Sequence, residues 1–455
     1  MMLYLYSNAV SGFCRGSRLT MASLGEDIAR EILLKLPTTD LLRCSCVCKL
    51  WRGIVHDPSF RNLHSNASAA EAETLLVQEF RGRGVGLKMT VLTVTSGKPM
   101  SRFTEVPGGY RPVNACNGFL LLASSVPDWP VYVCNPVTGE KLKIPAPPLM
   151  DHLEGRTYAL GFSPSTRQYK IFSLSFTDRS LEDTHETHVD VFTLGADDGM
   201  WRRHQDLFRA LYSLHHPPPV LMDGKLYVVV KQLGIYWAPD TMMLVIDVAS
   251  EEHGRYFLPE KSKWFHKARV HAFNLCGQLC LAIRIVNQRR VNFWVMLSLQ
   301  GKPHVNKWCT PDWERRYSFY LNADDGKGGD KPYCAWLDRK DGMLCYRFGD
   351  RLYRYDTIRK RKKPQIQLPV PVMPFTRPED QQWNVYGGYR PSLLSPHLTL
   401  GTTLLPQKQH HQQDDCEQGL LHALGYHQSS KKRCPTNTSE RTNHSSRAAK
   451  RICKL

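Results

Sequence analysis

The sequence predicts an α+β multidomain protein, in which a small three-helix domain precedes a mostly β domain of the propeller type and a disordered basic tail. Three observations predict this fold class. Residues 22–63 show helical periodicity, residues 77–372 are strand-like and dense in Gly, Pro, Asp and Asn turns, and residues 401–455 are polar with few large apolar side chains. The expected divisions are an unstructured leader at 1–21, the helical domain at 22–63, a connector at 64–76, the β domain at 77–372 and a polar, basic, largely disordered tail at 373–455.

Composition limits the class of protein. The 455 residues suit two or three domains of ~100–200 residues each, and 42% hydrophobic residues exclude wholesale disorder. No window of ~18 consecutive apolar residues exists, which excludes a transmembrane helix. The formal net charge of +18 favours acidic partners of some kind. The 14 cysteines form no C-x-x-C pairs and fit reduced thiols, so we expect a nuclear or cytoplasmic protein, or both.

The helical zone contains three apolar stripes. Ser23 and Glu26 have the spacing of a capping box that begins the first helix, and Pro37 ends that helix. The stripes comprise Leu24, Ile28, Ile32 and Leu36, then Leu41 and Leu42, then Val47, Trp51, Ile54 and Val55, closed by Asp57-Pro58. Because three short helices cannot bury this surface alone, the Leu36-Pro37 and Leu41-Leu42 edge either docks another chain or packs on the larger domain.

The segment LGEDIAREILLKLPTTDLLRCSCVCKLWRGIVHDPSF, which begins at Leu24, resembles an F-box of the plant type. One position departs from the family, whose members usually open with Leu-Pro where this chain has Leu24-Gly25. The matching positions are Ile28, Glu31, Ile32, Leu33, Leu36, Pro37, Leu41, Leu42, Arg43, Cys46, Val47, Cys48, Lys49, Trp51, Arg52, Asp57, Pro58 and Phe60.

This resemblance implies docking on Skp1, the linker subunit of a cullin–RING ubiquitin ligase. In the family, the apolar face of the first helix, the Leu-Pro turn and the tryptophan of the third helix insert into Skp1. The residues that correspond here are Leu24, Ile28, Ile32, Leu36, Pro37, Leu41, Leu42, Val47 and Trp51. The resemblance therefore implies a substrate-recognition adaptor without catalytic activity, which holds the ligase at one end and an unknown target protein at the other.

The β zone contains a repeating unit of strands that starts after a glycine. Such units begin at Gly118, Gly224, Gly277 and Gly342. The distance along the sequence from Gly118 to Gly224 is twice that from Gly224 to Gly277, so we expect a further unit between the first two, at residues 159–203. A repeat of about 50 residues with several strands per unit indicates propeller blades. The alternative is an ordinary pair of β-sandwiches, which would show turns but no fixed repeat.

The β zone also resembles the plant F-box-associated domain, through NGFLLLASS, VYVCNPVTGEKLKIPAPP, LGFSPSTRQYKIFSL and VDVFTLGADDGMWRR. The resemblance implies a module that recognises substrates, but its ligand-contacting residues vary, so no binding residue carries over. Propellers bind through their loops. The candidate loops contain Tyr236-Trp237, Trp264-Phe265-His266 and Trp313-Glu314-Arg315-Arg316, although core or rim aromatics are the favoured interpretation of each.

Signatures of catalysis, cofactors and metals are missing. The sequence has no P-loop and no Gly-x-Ser-x-Gly elbow, and Cys44, Cys46 and Cys48 lack a following Cys/His pair at finger spacing. A propeller hydrolase is thus the weakest hypothesis. The stronger alternative is a basic propeller that binds nucleic acid or acidic proteins without a ligase. The basic runs at 359–363, 431–433 and 450–451 indicate nuclear import, nucleic-acid binding or a solvated disordered tail that aids solubility. The solvated tail is favoured over nucleic-acid binding, because too few aromatics accompany these runs for base stacking.

Overall fold

The computed structural model of this chain describes residues 25–67, 73–80, 87–93, 99–106, 109–124, 126–149, 153–179, 184–196, 199–204, 211–213, 219–233, 241–259, 268–285, 290–299, 308–320, 334–337, 343–348, 351–356, 361–363 and 381–397. These residues form four helices followed by 26 strands. The expected leader at 1–21 and the chain from residue 398 onward lie outside the described residues.

Four short helices form the N-terminal domain, one more than the sequence predicts. They are α1 (Glu26–Leu34), α2 (Thr38–Cys44), α3 (Lys49–His56) and α4 (Pro58–Ala67). Asp57-Pro58 is predicted to close the domain's last stripe, but Pro58 is the first residue of α4. Proline is favourable at this position because the first helical residue needs no N–H partner. The α4 helix thus occupies the start of the expected connector.

The start of α1 also differs from the prediction. Gly25 is the N-cap residue, so Glu26 is the first helical residue and not the third. The expected capping box is therefore wrong, and its other member, Ser23, lies outside the described residues. The charges of Glu26 and Asp27 stabilise this end of α1 through the helix dipole.

The strands form six sheets, which we number as blades 1–6. Blade 1 contains β1 (Glu73–Phe80), β2 (Leu87–Thr93), β3 (Pro99–Val106) and β26 (Gln381–Tyr389). Blade 2 contains β4 (Tyr110–Cys116), β5 (Phe119–Ser124), β6 (Val131–Cys134) and β7 (Lys141–Ile144). Blade 3 contains β8 (Leu153–Ser163), β9 (Gln168–Arg179), β10 (Thr184–Thr193) and β11 (Arg202–Arg203).

The remaining strands complete three more blades. Blade 4 contains β12 (Leu211–Ser213), β13 (Val220–Met222), β14 (Lys225–Leu233), β15 (Thr241–Asp247), β16 (His253–Tyr256) and β20 (Trp308–Cys309). Blade 5 contains β17 (Ala268–Leu275), β18 (Gln278–Ile285), β19 (Arg290–Leu299) and β21 (Pro311–Tyr320). Blade 6 contains β22 (Cys334–Leu337), β23 (Leu344–Phe348), β24 (Arg351–Asp356) and β25 (Arg361–Lys363).

The blades close into a ring. Their innermost strands contact one another in the order β26, β4, β8, β13, β17, β22 and back to β26. Blade 1 is built from both ends of the domain, because β26 pairs antiparallel with β1 at its inner edge. This arrangement confirms the propeller prediction over the sandwich alternative, and β8–β11 form the expected further unit. Blade 1 is a sixth unit that the glycine repeat does not reveal.

Three of the repeating glycines of the sequence, Gly118, Gly224 and Gly277, lie in tight hairpin turns after the inner strands, and Gly342 lies outside the described residues. Between β4 and β5, Asn117 has a φ of 41° and Gly118 a φ of 90°. Two consecutive positive φ values define the turn that matches the twist of antiparallel strands, and glycine at the second position avoids a steric penalty. The pairs Asp223-Gly224 and Cys276-Gly277 have the same pair of positive angles in blades 4 and 5.

Two expectations at the end of the β domain need correction. The fourth and outermost strand of blade 6 is β25, which lies within the basic run at 359–363, whereas the sequence pattern predicts the last strand of this unit at 366–368, which lies outside the described residues. The boundary at residue 372 is also too early, because β26 belongs to blade 1 and residues 390–397 pack beneath the helices. A charged run can form a strand when that strand lies at a sheet edge.

Buried polar side chains join neighbouring blades. The Asn114 side chain donates to Leu160 O (2.9 Å) and accepts from Leu160 N (3.0 Å), which links the inner strands of blades 2 and 3. Between blades 3 and 4, Glu251 accepts hydrogen bonds from Lys170 (2.7 Å) and Arg202 (2.7 Å). Burial alone would raise the pKa of Glu251, but these two cations outweigh it and lower the pKa below its usual 4.5.

Candidate functional site

The α1 helix is apolar on two adjacent faces. Ala29 and Leu33 are fully buried and pack in the core of the helical domain. Ile28 and Ile32, one position earlier in each turn, point outward: Ile28 is 55% exposed and Ile32 is half-buried. The stripe predicted from the sequence is therefore the outward one, and the domain's own core uses the neighbouring stripe. An apolar stripe left outside a packed core is typical of a protein contact.

Further apolar residues extend this outward surface beyond α1. Pro37 is exposed as the N-cap of α2, Leu36 is half-buried, and Val47, in the turn between α2 and α3, is 55% exposed. Leu24, the first residue of the predicted set, lies outside the described residues. We use the term docking face for the outward side chains of Ile28, Ile32, Pro37 and Val47 together with Leu36, which is half-buried and also packs against the core of the helical domain.

Three residues of the predicted set are not exposed. Leu41 and Leu42 on α2 are buried in the core of the helical domain, which also contains residues of the β domain, so their burial fits the alternative that this edge packs on the larger domain. Trp51 on α3 is only 3% exposed and packs in the same core. In this structure these side chains hold the helices together.

Polar contacts fix the turns that carry the docking face. His64 on α4 donates from Nε2 to Leu36 O (2.9 Å), which fixes the chain just before Pro37. Arg30 on α1 pairs with Asp57, between α3 and α4. Partial burial alone would raise the pKa of Asp57. The hydrogen bonds from Arg30 and from the backbone N–H of Ser59 lower the pKa by a larger amount, so the net shift is downward. These two contacts tie α1 and the turn that follows it to α4 and to the residue that precedes α4.

The three clustered cysteines have separate structural contacts. Cys48 is the N-cap of α3, and its Sγ accepts from Trp51 N at 3.5 Å. Cys44 is half-buried against the helical core, and burial, together with the Asp40 charge, raises the pKa of its thiol. Cys46 is exposed. Across the parts of the chain that the structure describes, no group of three or more His, Cys, Asp or Glu side chains is arranged to hold a metal ion.

The helical domain is attached to blade 2 by a buried ion pair. Arg61 on α4 donates to Glu140 Oε1 (2.9 Å), and both side chains are largely buried. Arg61 also donates from Nε to Val55 O (3.1 Å). Val137, in the turn before β7, is 3% exposed and packs in the core of the helical domain. This attachment fits the alternative that the helical domain packs on the larger domain. The residues that form it were not predicted, and their one signal in the sequence is the charged Arg61 between the apolar Phe60 and Leu63.

A second exposed apolar group lies at the opposite end of blade 2. The turns that face the helices precede β5 and β7, so the β5–β6 and β7–β8 connections leave from the other end of these antiparallel strands. Val126, Trp129 and Leu149 in these connections are exposed, and we call them the distal patch. The described part of the propeller exposes five large hydrophobic side chains, and three of them belong to the distal patch.

The loops of the distal patch are ordered by specific contacts. Arg156 at the start of blade 3 donates to Pro127 O (3.1 Å) and Pro148 O (2.8 Å), which ties the two connections together. The Trp129 ring packs on Tyr110, with ring centroids 5.6 Å apart. Burial, together with the neighbouring Tyr132, raises the pKa of Tyr110 to about 12, so this phenol stays neutral. The patch is thus a preformed surface.

The candidate loops named from the sequence receive less support. Tyr236-Trp237 and Trp264-Phe265-His266 lie outside the described residues. The third candidate is not a loop, because Trp313–Arg316 belong to β21 and pair with β19. Trp313 is half-buried and donates from Nε1 to Phe257 O (3.2 Å), so its role is packing.

Basic residues occur in the outermost strands of several blades. These edges include Lys141 and Lys143 in β7, Arg202 and Arg203 in β11, and the Arg361–Lys363 strand β25. Charged residues on an edge strand prevent another sheet from pairing with it. These residues therefore protect the edges of three blades. None of the described helices has the length and apolar character that crossing a membrane requires.

Two family models match the chain. A model described as the F-box domain matches residues 21–63, and a model described as the F-box associated beta propeller domain matches residues 92–310. Together they cover more than half of the chain. The first contains the docking face, and the second contains blades 2–4 with parts of blades 1 and 5.

The chain is similar to F-box proteins of Arabidopsis thaliana. It is 24% identical to one of them over 348 residues, which cover 71% of this chain and 79% of the relative. A putative F-box protein is 28% identical over 253 residues, covering 50% of this chain and 59% of the relative. Among solved structures, the Dos1 propeller superposes with a TM-score of 0.32 at 11% identity, over 62% of this chain and 67% of that one.

Proposed function

This chain belongs to the plant F-box proteins that carry an F-box-associated β-propeller domain, and from this premise we propose that it is the substrate-recognition adaptor of a Skp1–cullin–F-box ubiquitin ligase. The adaptor carries out no bond chemistry. It raises the effective concentration of a target protein near the ubiquitin carrier, because both are held in one complex.

The observation that carries the proposal is the outward apolar stripe of α1. Ile28 and Val47 are each more than half exposed, while Ala29 and Leu33 already satisfy the core of the helical domain. Full burial of an isoleucine or valine side chain contributes about 1.5–3 kcal/mol. The five residues of the docking face therefore offer several kcal/mol to a Skp1-type helical partner, and part of this is offset by the loss of freedom on association.

Co-purification tests this proposal directly. The full chain should co-elute with a co-expressed plant Skp1-type linker, and a variant with Ile28→Asp and Val47→Asp should elute without it. A matched variant with Leu63→Asp should still co-elute, because Leu63 is 50% exposed but lies on α4, outside the docking face. Co-elution of the double variant with the linker would show that the docking face is wrong.

We propose that the target protein binds at the end of the propeller opposite the F-box. The distal patch supports this assignment because its side chains are apolar, exposed and held in place by Arg156. A variant with Trp129→Ala and Leu149→Ala should retain the linker but lose the target. The matched control is Met200→Ala with Leu297→Ala, which are also exposed apolar residues but lie elsewhere on the propeller.

A further inference from the structure

The segment after the closing strand lies between the F-box and blade 2. We call this segment, Arg390–His397, the wedge segment. On the F-box side, Thr38 at the start of α2 donates from Oγ1 to Pro391 O (3.1 Å). Leu393 is 1% exposed and packs in the F-box core, among the side chains of α1, α2 and α3. A residue near the end of the described chain thus completes the core of the first domain.

Blade 2 holds the other side of the wedge segment. Asn135, fully buried in the β6–β7 turn, donates from Nδ2 to Ser392 O (2.8 Å) and Leu394 O (2.7 Å). Its Oδ1 accepts from Val137 N (2.8 Å) and Thr138 N (3.3 Å), which fixes the orientation of the amide. The Leu394 side chain packs against the core between blades 2 and 3, opposite in direction to Leu393.

The hairpin of blade 2 leaves no space beneath the wedge segment. A Cβ atom on Gly118 would lie 2.4 Å from Ser392 Cβ and 3.0 Å from Arg390 O. At the far end of the segment, His397 donates from Nε2 to Lys141 O (2.9 Å). The segment can therefore take this path only where β26 has closed blade 1 and blade 2 is folded.

We propose that the wedge segment makes folding of the F-box depend on closure of the propeller. The helical domain spans residues 25–67, a length at which a chain rarely supports a core without help. Leu393 and Val137 supply that help from the propeller side. A chain whose propeller is incomplete or unfolded then presents no competent docking face, so only finished target receptors join a ligase. This consequence for the ligase rests on the proposed function, whereas the folding dependence does not.

The dependence of F-box folding on the wedge segment can be measured through the affinity of a binding partner. A partner that binds only the folded F-box has an apparent dissociation constant equal to the intrinsic value divided by the folded fraction of the F-box. Replacing Leu393 lowers that fraction without altering any residue of the docking face. The loss of linker affinity should therefore accompany faster hydrogen exchange in residues 25–67.

The test uses the full chain with Leu393→Ala and, as a matched control, Leu281→Ala. Both leucines are buried, but Leu281 packs between blades 4 and 5, away from the F-box. A third variant, Thr38→Val, removes the bond to Pro391 and keeps every core side chain. Linker affinity is measured by calorimetric titration, and hydrogen exchange of residues 25–67 is measured by mass spectrometry.

We expect Leu393→Ala to weaken linker binding at least tenfold and to accelerate exchange throughout residues 25–67. Thr38→Val should shift both measurements in the same direction by about two- to threefold, and Leu281→Ala should change neither. Unchanged exchange and affinity in the Leu393 and Thr38 variants would overturn the inference. If the unaltered chain binds no linker, the proposed function fails, and the exchange measurement still decides the folding dependence.

Discussion

Replacement of Ile28 by aspartate isolates the energy of the docking face. Ile28 is 55% exposed, so docking would bury about half of a side chain whose full burial contributes about 1.5–3 kcal/mol, that is, about 1 kcal/mol. A carboxylate at this position loses that gain and adds a desolvation cost of about 1–3 kcal/mol. The total of about 2–4 kcal/mol corresponds to a loss of affinity between about 30-fold and several hundred-fold.

The same substitution should leave the F-box folded. Ile28 lies in the first turn of α1, where an acidic side chain is favourable, and surface substitutions usually change stability by less than about 0.5 kcal/mol. Calorimetric titration of a purified Skp1-type linker into the variant measures the affinity, and circular dichroism measures the melting temperature. The matched substitution is Leu63→Asp on α4, which should bind normally. Equal affinities of the two variants would refute this reasoning.

Two further predictions concern the propeller. Gly118→Ala should lower the melting temperature more than Gly277→Ala: both glycines need a positive φ in equivalent hairpin turns, but only Gly118 would clash with the wedge segment. Equal losses in a thermal melt would contradict that packing. Glu251→Gln should cost about 3–5 kcal/mol at pH 7 in chemical denaturation, because it leaves the Lys170 ammonium buried without a carboxylate. The folded pKa of Glu251 is lowered, so its stabilisation is present above pH 4.5 and is lost as the pH falls through the folded pKa. The variant should lack that acid-dependent loss, and identical pH profiles would count against the ion-pair assignment.

The sequence predicted the outer face of α1 but could not show which face packs inward. The stripes at 28/32 and at 29/33 are both apolar, and helical periodicity alone gives no reason to prefer either as the core. The structure assigns Ala29 and Leu33 to the core, which leaves the family-matched stripe outside. The burial of Leu41, Leu42 and Trp51 could not be seen for the same reason, since core and contact residues share one composition.

The repeat of hairpin glycines predicted the propeller, but not its closure. The closing strand β26 has the sequence QQWNVYGGY, in which polar residues and two glycines weaken the strand pattern. Its partner β1 lies at the other end of the domain, so no local signal connects them. The wedge segment was not predicted because it follows this strand within residues 373–455, whose composition predicts a polar, disordered tail. The hydrogen bonds from Asn135 to the wedge segment could not be predicted either, because the sequence around Asn135 indicates only a turn.

Affinity purification with the proteasome blocked tests the central claim, that one chain joins a ligase to a target through two separate surfaces. The unaltered chain should recover a Skp1-type linker, a cullin and a ubiquitin-conjugated protein. The Ile28→Asp, Val47→Asp variant should lose the two ligase subunits and keep the target in unconjugated form, while the Trp129→Ala, Leu149→Ala variant should keep the ligase subunits and lose the target. Recovery of no ligase subunit by the unaltered, folded chain would contradict the account.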